Sequence, residues 1–342
     1  MKKIITILLI ASVMLTAGCA SKNASSSSQT ADAAATDQET SAISGIMETE
    51  IFDEEVATLD NTTINLDEVN DNIVNITNAG NYILTGSFKG QIRVELNNDA
   101  QVKITLSNAR IENEGSACIY FVNGDKLIIS ADDDTVNYLI NTGAFIQTDN
   151  SKVDGAIFAR DDLQVSGHGK IIISSEFGHG IVAKDDFMTK NVSVDITSNK
   201  KGIQVNDELC FKSGNYKIIS GSAGIIATVI DINDGTIYIE SGKDGIDASN
   251  GGGKGEDSSA LQVDTVVYIR GGEVTINAGQ DGIDSKGDLY ISGGILTITS
   301  FGSEKNSAID YRGKCEITGG VQHVPADFGL TNMHDSSFGG FM

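Results

Sequence analysis

The sequence lacks tryptophan, contains a single proline and has only four cysteines in 342 residues. Because aromatic residues make up 6% of the chain, its hydrophobic core must consist mainly of aliphatic side chains. So few cysteines exclude a disulfide-rich scaffold. Basic residues are also scarce, since 24 Lys and Arg stand against 47 Asp and Glu and give a net charge of −23. This charge repels phosphate backbones, so we expect no nucleic-acid partner and a surface suited to cations.

The N-terminus has the pattern of a targeting signal. Two lysines precede an apolar run over 4–15, and Thr-Ala-Gly-Cys19 follows it. A basic start, a short apolar run and small residues predict a bacterial lipoprotein signal peptide over 1–18, with lipid attached to Cys19. An ordinary signal peptide that contains a cysteine is the alternative. Residues 19–50 are rich in Ser, Ala and Thr and predict a flexible tether, so we expect a protein held by its lipid at the outer face of the cell membrane.

Short runs of alternating apolar and polar residues, separated by Gly, Asn and Asp, fill 51–342 and predict β-strands. A Gly-Ile or Ala-Ile pair marks seven of them, and the isoleucine recurs in steps of 24, 22, 22, 21, 37 and 26 residues, at Ile157, Ile181, Ile203, Ile225, Ile246, Ile283 and Ile309. A second series recurs in steps of 22, 23, 21, 37, 22 and 26 residues, at Gly169, Asn191, Gly214, Gly235, Gly272, Gly294 and Gly320. The long step shared by both series predicts one loop insertion near 250–264.

Each repeat of about 22 residues contains three strand-like pieces. This arithmetic predicts an all-β fold, a single right-handed parallel β-helix over 51–342 with three strands per coil. A β-propeller would need four strands per blade and a period of roughly 40 residues. A leucine-rich repeat would show regularly spaced Leu and Asn, which are absent here.

Aspartates occupy equivalent positions in three of the later repeats. Asp247, Asp284 and Asp310 each follow a marker isoleucine, so they point outward if the isoleucines point inward. Stacked carboxylates lie about 5 Å apart and repel one another unless a cation offsets their charge. Asp244 and Asp281 form a second pair beside them, and clustered carboxylate oxygens are what Ca²⁺ selects. We therefore predict a Ca²⁺ site at these five residues, with solvated turn aspartates as the alternative.

Several motifs together resemble one known family. They are Asp-Asp-Leu-Gln-Val-Ser-Gly-His-Gly over 161–169, repeated Gly-Gly pairs before strands, Asp-Gly-Ile-Asp over 244–247 and 281–284, and Ala-Ile-Asp-Tyr over 308–311. The resemblance is to the bacterial carbohydrate-binding domain-containing β-helix family, typified by a clostridial cellulose- and pectin-binding protein, and it covers roughly 51–324. It implies a fold similar to that of polysaccharide lyases, bound Ca²⁺, and glycan binding without established catalysis. By match to its motif, the same five aspartates inherit the metal.

These observations predict a non-catalytic cell-surface lipoprotein that binds polysaccharide, either acidic and pectin-like or cellulosic, with Ca²⁺ support. Tyr290, Tyr311 and Arg312 are candidates for glycan contact, because tyrosine offers a stacking face and arginine binds carboxylates. The alternative is a Ca²⁺-dependent polysaccharide lyase, in which Arg312 or Lys286 removes the proton next to a uronate carboxyl. A second alternative is an adhesion or scaffold protein, in which metal only stabilises the coils. In each case we expect a monomer.

Overall fold

The computed structural model describes residues 60–97, 99–148, 152–250, 262, 264–300, 306–325 and 331–332. All of them belong to one compact unit, Phe52–Met342. The predicted signal peptide, Cys19 and the tether lie outside the described residues, as does most of the predicted loop insertion. In the described ranges, no helix is long and apolar enough to cross a membrane.

The predicted all-β class is confirmed. One short 3-10 helix, Leu66–Glu68, is the only helical element of the described residues. The strands are β1 (Asn61–Asn65), β2 (Ile73–Ile76), β3 (Gly80–Lys89), β4 (Gln91–Glu95), β5 (Gln101–Asn113), β6 (Ile119–Asn123), β7 (Lys126–Ala131), β8 (Val136–Asn141), β9 (Gly155–Ala159), β10 (Asp162–Gly167), β11 (Lys170–Ser175), β12 (His179–Ala183), β13 (Phe187–Lys190), β14 (Val192–Ser198), β15 (Ile203–Val205), β16 (Glu208–Phe211), β17 (Gly214–Ser220), β18 (Ile225–Ala227), β19 (Val229–Ile232), β20 (Thr236–Ser241), β21 (Ile246–Ala248), β22 (Val266–Ile269), β23 (Glu273–Ala278), β24 (Ile283–Ser285), β25 (Asp288–Ile291), β26 (Ile295–Ser300), β27 (Ile309–Tyr311), β28 (Cys315–Ile317), β29 (Val321–His323) and β30 (Thr331–Asn332).

The strands form two parallel sheets, of 19 and 11 strands, which are not closed onto one another. In the larger sheet, β5 pairs with both β7 and β8, so the sheet divides there into two columns. Column 1 is β7, β10, β13, β16, β19, β22, β25 and β28, and column 2 is β8, β11, β14, β17, β20, β23, β26 and β29. The 11-stranded sheet is column 3: β2, β4, β6, β9, β12, β15, β18, β21, β24, β27 and β30. From β9 to β29 the chain visits column 3, column 1 and column 2 in strict rotation.

The core is a stack of aliphatic side chains. The seven marker isoleucines of column 3 are each in register with the next, from Ile157 to Ile309. All seven are at most 2% exposed. Since adjacent parallel strands lie about 4.8 Å apart, each isoleucine packs on its counterpart above and below. The low aromatic content noted in the sequence is therefore matched by an aliphatic core.

The second marker series precedes or begins strands of column 2. Asn191 has φ of 59°, and the five glycines from Gly214 to Gly320 in that series have φ between 76° and 124°. This left-handed backbone suits glycine and, among other residues, asparagine. At the first position of the series the left-handed residue is Gly167 (φ 106°) rather than Gly169. The recurring Gly and Asn are thus corner residues that the chain needs in order to enter column 2.

The side chains on the outer side of column 3 change from apolar to acidic along the column. In-register outward positions run from Tyr120, Phe158 and Val182, which form a small apolar cluster, through Gln204 and Ile226 to three aspartates. The alternation of the strands places this entire row opposite the isoleucine core. Its aspartate end is where the candidate site lies.

Candidate functional site

The row of aspartates on the outer side of column 3 is continuous. Asp247, Asp284 and Asp310 are direct register partners in β21, β24 and β27, as the sequence predicts. Asp284 is 6% exposed and Asp310 is 7% exposed, although both point away from the isoleucine core. A carboxylate removed from water in this way is costly unless a counter-charge or ligand compensates it.

A second row, formed by Asp244 and Asp281, runs beside the first. The N–H of Asp281 donates to Oδ1 of Asp244 at 3.0 Å, and the N–H of Ser307 donates to Oδ1 of Asp281 at 2.5 Å. Each of these carboxylates therefore caps the backbone of the following repeat. For the Oδ1 atom of each side chain, the structure supports the alternative that these aspartates stabilise turns rather than bind metal.

Three of the five predicted aspartates come together. Asp244, Asp281 and Asp284 each offer a carboxylate oxygen, and these oxygens lie within 4.8 Å of one another. Burial, against a hydrogen bond from Ser307 and together with the charges of Asp244, Asp284 and Asp310, raises the pKa of Asp281 to about 6. Burial also raises the pKa of Asp244. The electrostatic effect of both environments is to disfavour bare negative charge and to favour a bound cation or proton.

Basic side chains offset part of the negative charge of these aspartates. Lys286 Nζ donates to Oδ2 of Asp284, and Arg312 Nη1 donates to Oδ1 of Asp310 at 2.5 Å. Lys201 lies near Asp247, whose charge raises the lysine pKa against the larger lowering effect of burial. Asp310 is therefore neutralised by arginine, and Asp284 is paired with lysine.

Two carboxylate oxygens remain unsatisfied in this row. Oδ1 of Asp247 and Oδ1 of Asp284 are buried and have no hydrogen-bond partner among the described residues. Burial, followed by the charge of Asp284, raises the pKa of Asp247 to about 6. Because buried acceptors are almost always satisfied in folded proteins, the two oxygens call for a ligand. An all-carboxylate donor set with unsatisfied oxygens fits a hard divalent cation.

The three residues predicted to contact glycan are less accessible than the sequence suggested. The prediction is wrong for Tyr311, which is 2% exposed in the core because it shares the inward face of β27 with Ile309. Arg312 is 5% exposed, and its guanidinium is bonded to Asp310, so no surface ligand reaches it. Tyr290 lies in column 1, where its ring stacks on Tyr268 at 5.3 Å with 15° between the planes. That contact occupies a ring face that a sugar would need.

A second group of carboxylates lies at the start of column 1. Asp161, Asp162 and Asp185 each offer an oxygen within 4.8 Å of the others. They belong to the first two of three acidic pairs, over 161–162, 185–186 and 207–208, that recur in steps of 24 and 22 residues. None of these three residues is among the predicted site residues. The recurrence of these acidic pairs could have been recognised in the sequence, because their steps equal the first two steps of the isoleucine series.

Burial and mutual repulsion perturb the second group strongly. Burial and the charge of Asp186 raise the pKa of Asp162 to about 7. Burial and a hydrogen bond with Asp207 raise the pKa of Asp185 to about 6. Burial and the charges of Asp186 and Asp231 raise the pKa of Glu208 to about 7. Near neutral pH this edge of column 1 therefore binds protons that ordinary carboxylates have lost.

The arrangement of stacked parallel strands is similar to that of a solved polysaccharide lyase-like protein. The gadolinium derivative of the polysaccharide lyase-like protein from C. thermocellum superposes with a TM-score of 0.55 and 22% sequence identity, over 80% of this chain and 99% of that one. At this identity, the likeness concerns the fold.

Sequence comparison then defines the family. The family described as carbohydrate-binding domain-containing protein matches residues 70–252 and 228–327, and this chain belongs to it. A carbohydrate-binding domain-containing protein of Acetivibrio thermocellus is 29% identical over 135 residues, which are 37% of this chain and 47% of the relative. The match thus spans about half the length of that relative. The family resemblance expected from the motifs is confirmed.

Proposed function

We propose that this chain is a polysaccharide-binding protein of the cell surface, in which Asp244, Asp281 and Asp284 hold Ca²⁺. The observation that carries the proposal is the convergence of three carboxylates within 4.8 Å, beside two buried oxygens that lack donors. This convergence lies in the stretch that matches the carbohydrate-binding family. Ca²⁺ takes 6–8 oxygen ligands, so a cation held by three aspartates retains positions for other oxygens. An acidic, pectin-like glycan supplies such oxygens through its carboxylates.

The fold that belongs to this proposal is a right-handed parallel β-helix. Its support is the order in which the chain enters columns 3, 1 and 2, which returns it to the same column after every third strand. Crossovers between parallel strands of one sheet are almost always right-handed. A left-handed path from β12 to β15 in a crystal structure would contradict this assignment.

The cation site is tested by a double variant, Asp247→Asn with Asp284→Asn, which removes one of the three proposed ligands together with the neighbouring unsatisfied carboxylate of Asp247 and nearly preserves side-chain size. A ligand that binds only the folded state stabilises it by about 2.7 kcal/mol at a hundredfold excess over its dissociation constant. Saturating Ca²⁺ should therefore raise the melting temperature of the wild type and barely change that of the double variant. Calcium titration calorimetry measures the same loss directly.

The second carboxylate group provides the matched control. Asp161→Asn with Asp185→Asn removes the same number of stacked carboxylates from column 1, and it should leave the Ca²⁺ response intact. If this variant loses the Ca²⁺ response and the first variant keeps it, the metal site is at the start of column 1. An equal response in the wild type and both double variants would refute a Ca²⁺ site at either group.

Glycan binding is tested separately, with polygalacturonate and with amorphous cellulose, in Ca²⁺ and in chelator. The proposal expects binding to polygalacturonate that weakens in chelator. Stabilisation by Ca²⁺ without binding to any glycan would favour the scaffold alternative.

A Ca²⁺-dependent lyase is a second candidate, because Lys286 lies directly beside the acidic group, bonded to Asp284. Arg312 is a poor base by comparison, since its side chain is 4% exposed. Cleavage would appear as rising ultraviolet absorbance from the unsaturated uronate product. An absorbance rise that is seen in the wild type and is absent in Lys286→Gln would show that the chain cleaves the polysaccharide rather than only binding it.

The lipid anchor is part of the proposal and rests on the sequence around Cys19. Replacing this residue, Cys19→Ala, should release the protein from membranes into the medium. Unchanged membrane retention would contradict lipidation at this position.

A further inference from the structure

The outer face of column 2 carries an open groove of about 480 Å³ across β11, β14, β17 and β20. Asp195, Lys217 and Tyr238 lie in its floor as register partners in three successive strands. Adjacent parallel strands are about 4.8 Å apart, so the three side chains form a line of about 10 Å. Asn215 and Thr236 border this line and are exposed. The groove lies in a different sheet from the aspartate rows of column 3.

Tyr238 differs from the other tyrosines of the chain. Its ring has no aromatic or cationic partner among the described residues, and its hydroxyl donates to Oε2 of Glu240 at 3.2 Å. The other seven are engaged with rings, with arginine or with the core: Tyr82, Tyr120, Tyr138, Tyr216, Tyr268, Tyr290 and Tyr311. Tyr238 is therefore a ring held at its hydroxyl end whose face remains available to a ligand.

Lys217 differs from the other charged residues of the groove. Lys170 is paired with Asp195 at 2.6 Å, and Glu240 accepts the hydroxyl of Tyr238. Lys217 is exposed and makes no ion pair within the described part of the chain. An unpaired ammonium is notable in a chain of net charge −23, where carboxylates outnumber basic groups about two to one. Of the two basic side chains of this groove it is the one without an ion pair, whereas Glu240, bonded by the neutral hydroxyl of Tyr238, keeps its negative charge.

A free ring face and a free ammonium on adjacent strands match a ligand with an apolar face and a carboxylate. A uronate sugar has both, since its axial C–H groups form an apolar face and its carboxyl group is ionised at neutral pH. On the basis of the proposed function, we infer that this groove binds uronate units of an acidic polysaccharide, with Tyr238 stacked on the sugar and Lys217 paired with its carboxylate. Asn215 and Thr236 are placed to bond the sugar hydroxyls.

The test compares polygalacturonate binding of the wild type, Tyr238→Ala, Tyr238→Phe and Lys217→Gln by calorimetry at low salt with Ca²⁺. Loss of the stacking face should weaken binding about tenfold in Tyr238→Ala, whereas Tyr238→Phe retains the ring and should bind nearly as the wild type does. Lys217→Gln should weaken binding about threefold, and this difference should vanish in high salt. Tyr268→Ala and Lys89→Gln are matched controls outside the groove and should bind normally.

The outcomes separate this inference from the function on which it rests. Wild-type binding that is unchanged in Tyr238→Ala and Lys217→Gln overturns the groove and leaves the polysaccharide-binding function intact. Absence of wild-type binding to every acidic glycan overturns both. Equal weakening of polygalacturonate and neutral cellulose by Lys217→Gln overturns the carboxylate pairing. Because Lys217 is exposed, that variant remains informative even if Tyr238→Ala unfolds.

Discussion

Glu208 is the residue whose protonation this fold perturbs in the most testable way. It is 8% exposed at the start of β16, where Asp186 and Asp231 raise its pKa and Lys212 and Arg270 lower it. Burial is the largest cause, and the result is a pKa of about 7 against an ordinary value of 4.5. The difference corresponds to about 3 kcal/mol of unfavourable free energy for the ionised form in the folded protein.

The sign of the pH dependence follows from proton binding. Between pH 4.5 and about 7 the folded state keeps the Glu208 proton and the unfolded state has lost it. The free energy of unfolding therefore falls with rising pH in that window, by up to about 1.4 kcal/mol per pH unit from this group. Asp162, with a pKa raised to about 7, adds to the same trend. Stability contributed by these groups is greatest below the unfolded pKa and is lost as pH approaches 7.

Replacing the carboxyl by an amide removes this dependence. We expect Glu208→Gln to increase the free energy of unfolding by about 1–3 kcal/mol at pH 8 and to have little effect at pH 4. Urea denaturation at several pH values, in chelator so that no cation offsets the charge, measures both numbers. Glu273→Gln, at an exposed position that begins β23, is the matched control and should be neutral throughout. A Glu208→Gln variant that is neutral at pH 8, or equally stabilised at both pH values, would refute the reasoning.

Three further predictions concern the strand stack. Gly224→Ala should lower the free energy of unfolding by about 1–3 kcal/mol, because the added Cβ would lie 2.6 Å from the carbonyl oxygen of Gly245 and collide with Ile239; an unchanged urea midpoint would contradict this packing. Asn191→Ala should cost about 1–2 kcal/mol, since φ at this position is 59°, and Asn191→Gly should cost less; equal losses would show that conformation is not the cause. Cys118 should resist thiol reagents at pH 8 until urea unfolds the chain, because burial raises its pKa to about 12; rapid modification of this thiol in the native protein would contradict its burial.

Sequence periodicity predicted most of the architecture for a physical reason. Each strand of a column lies in nearly the same environment as the strand before it, so the core isoleucines and the corner glycines recur at matching steps along the sequence. Alternation within a strand likewise predicted that Asp247, Asp284 and Asp310 share one face. The same alternation placed Tyr311 on the inward face with Ile309, and the proposal of Tyr311 as a glycan contact ignored it.

The face of a strand on which a side chain lies does not by itself determine how exposed that side chain is, and this limited the prediction of the site. Asp284 points outward and is still 6% exposed, because exposure depends on side chains from neighbouring repeats and rows. The groove of column 2 was hidden for a related reason. Tyr238, Lys217 and Asp195 are about 21 residues apart in sequence and become neighbours only once the register of three strands is known. Which tyrosine keeps a free face depends on contacts that no local pattern encodes.

The charge balance of the aspartate rows shows why a cation is still expected there. The residue two positions after each outward aspartate lies on the same face of the chain, and it is Lys286 after Asp284 and Arg312 after Asp310. After Asp247 it is Ser249, which bonds the carboxylate without neutralising it. With Lys201 counted, five carboxylates face three basic side chains, so negative charge remains in excess where water is largely excluded. The unsatisfied Oδ1 atoms of Asp247 and Asp284 lie where this excess is found, which is the arrangement that a divalent cation, rather than a further lysine, would complete.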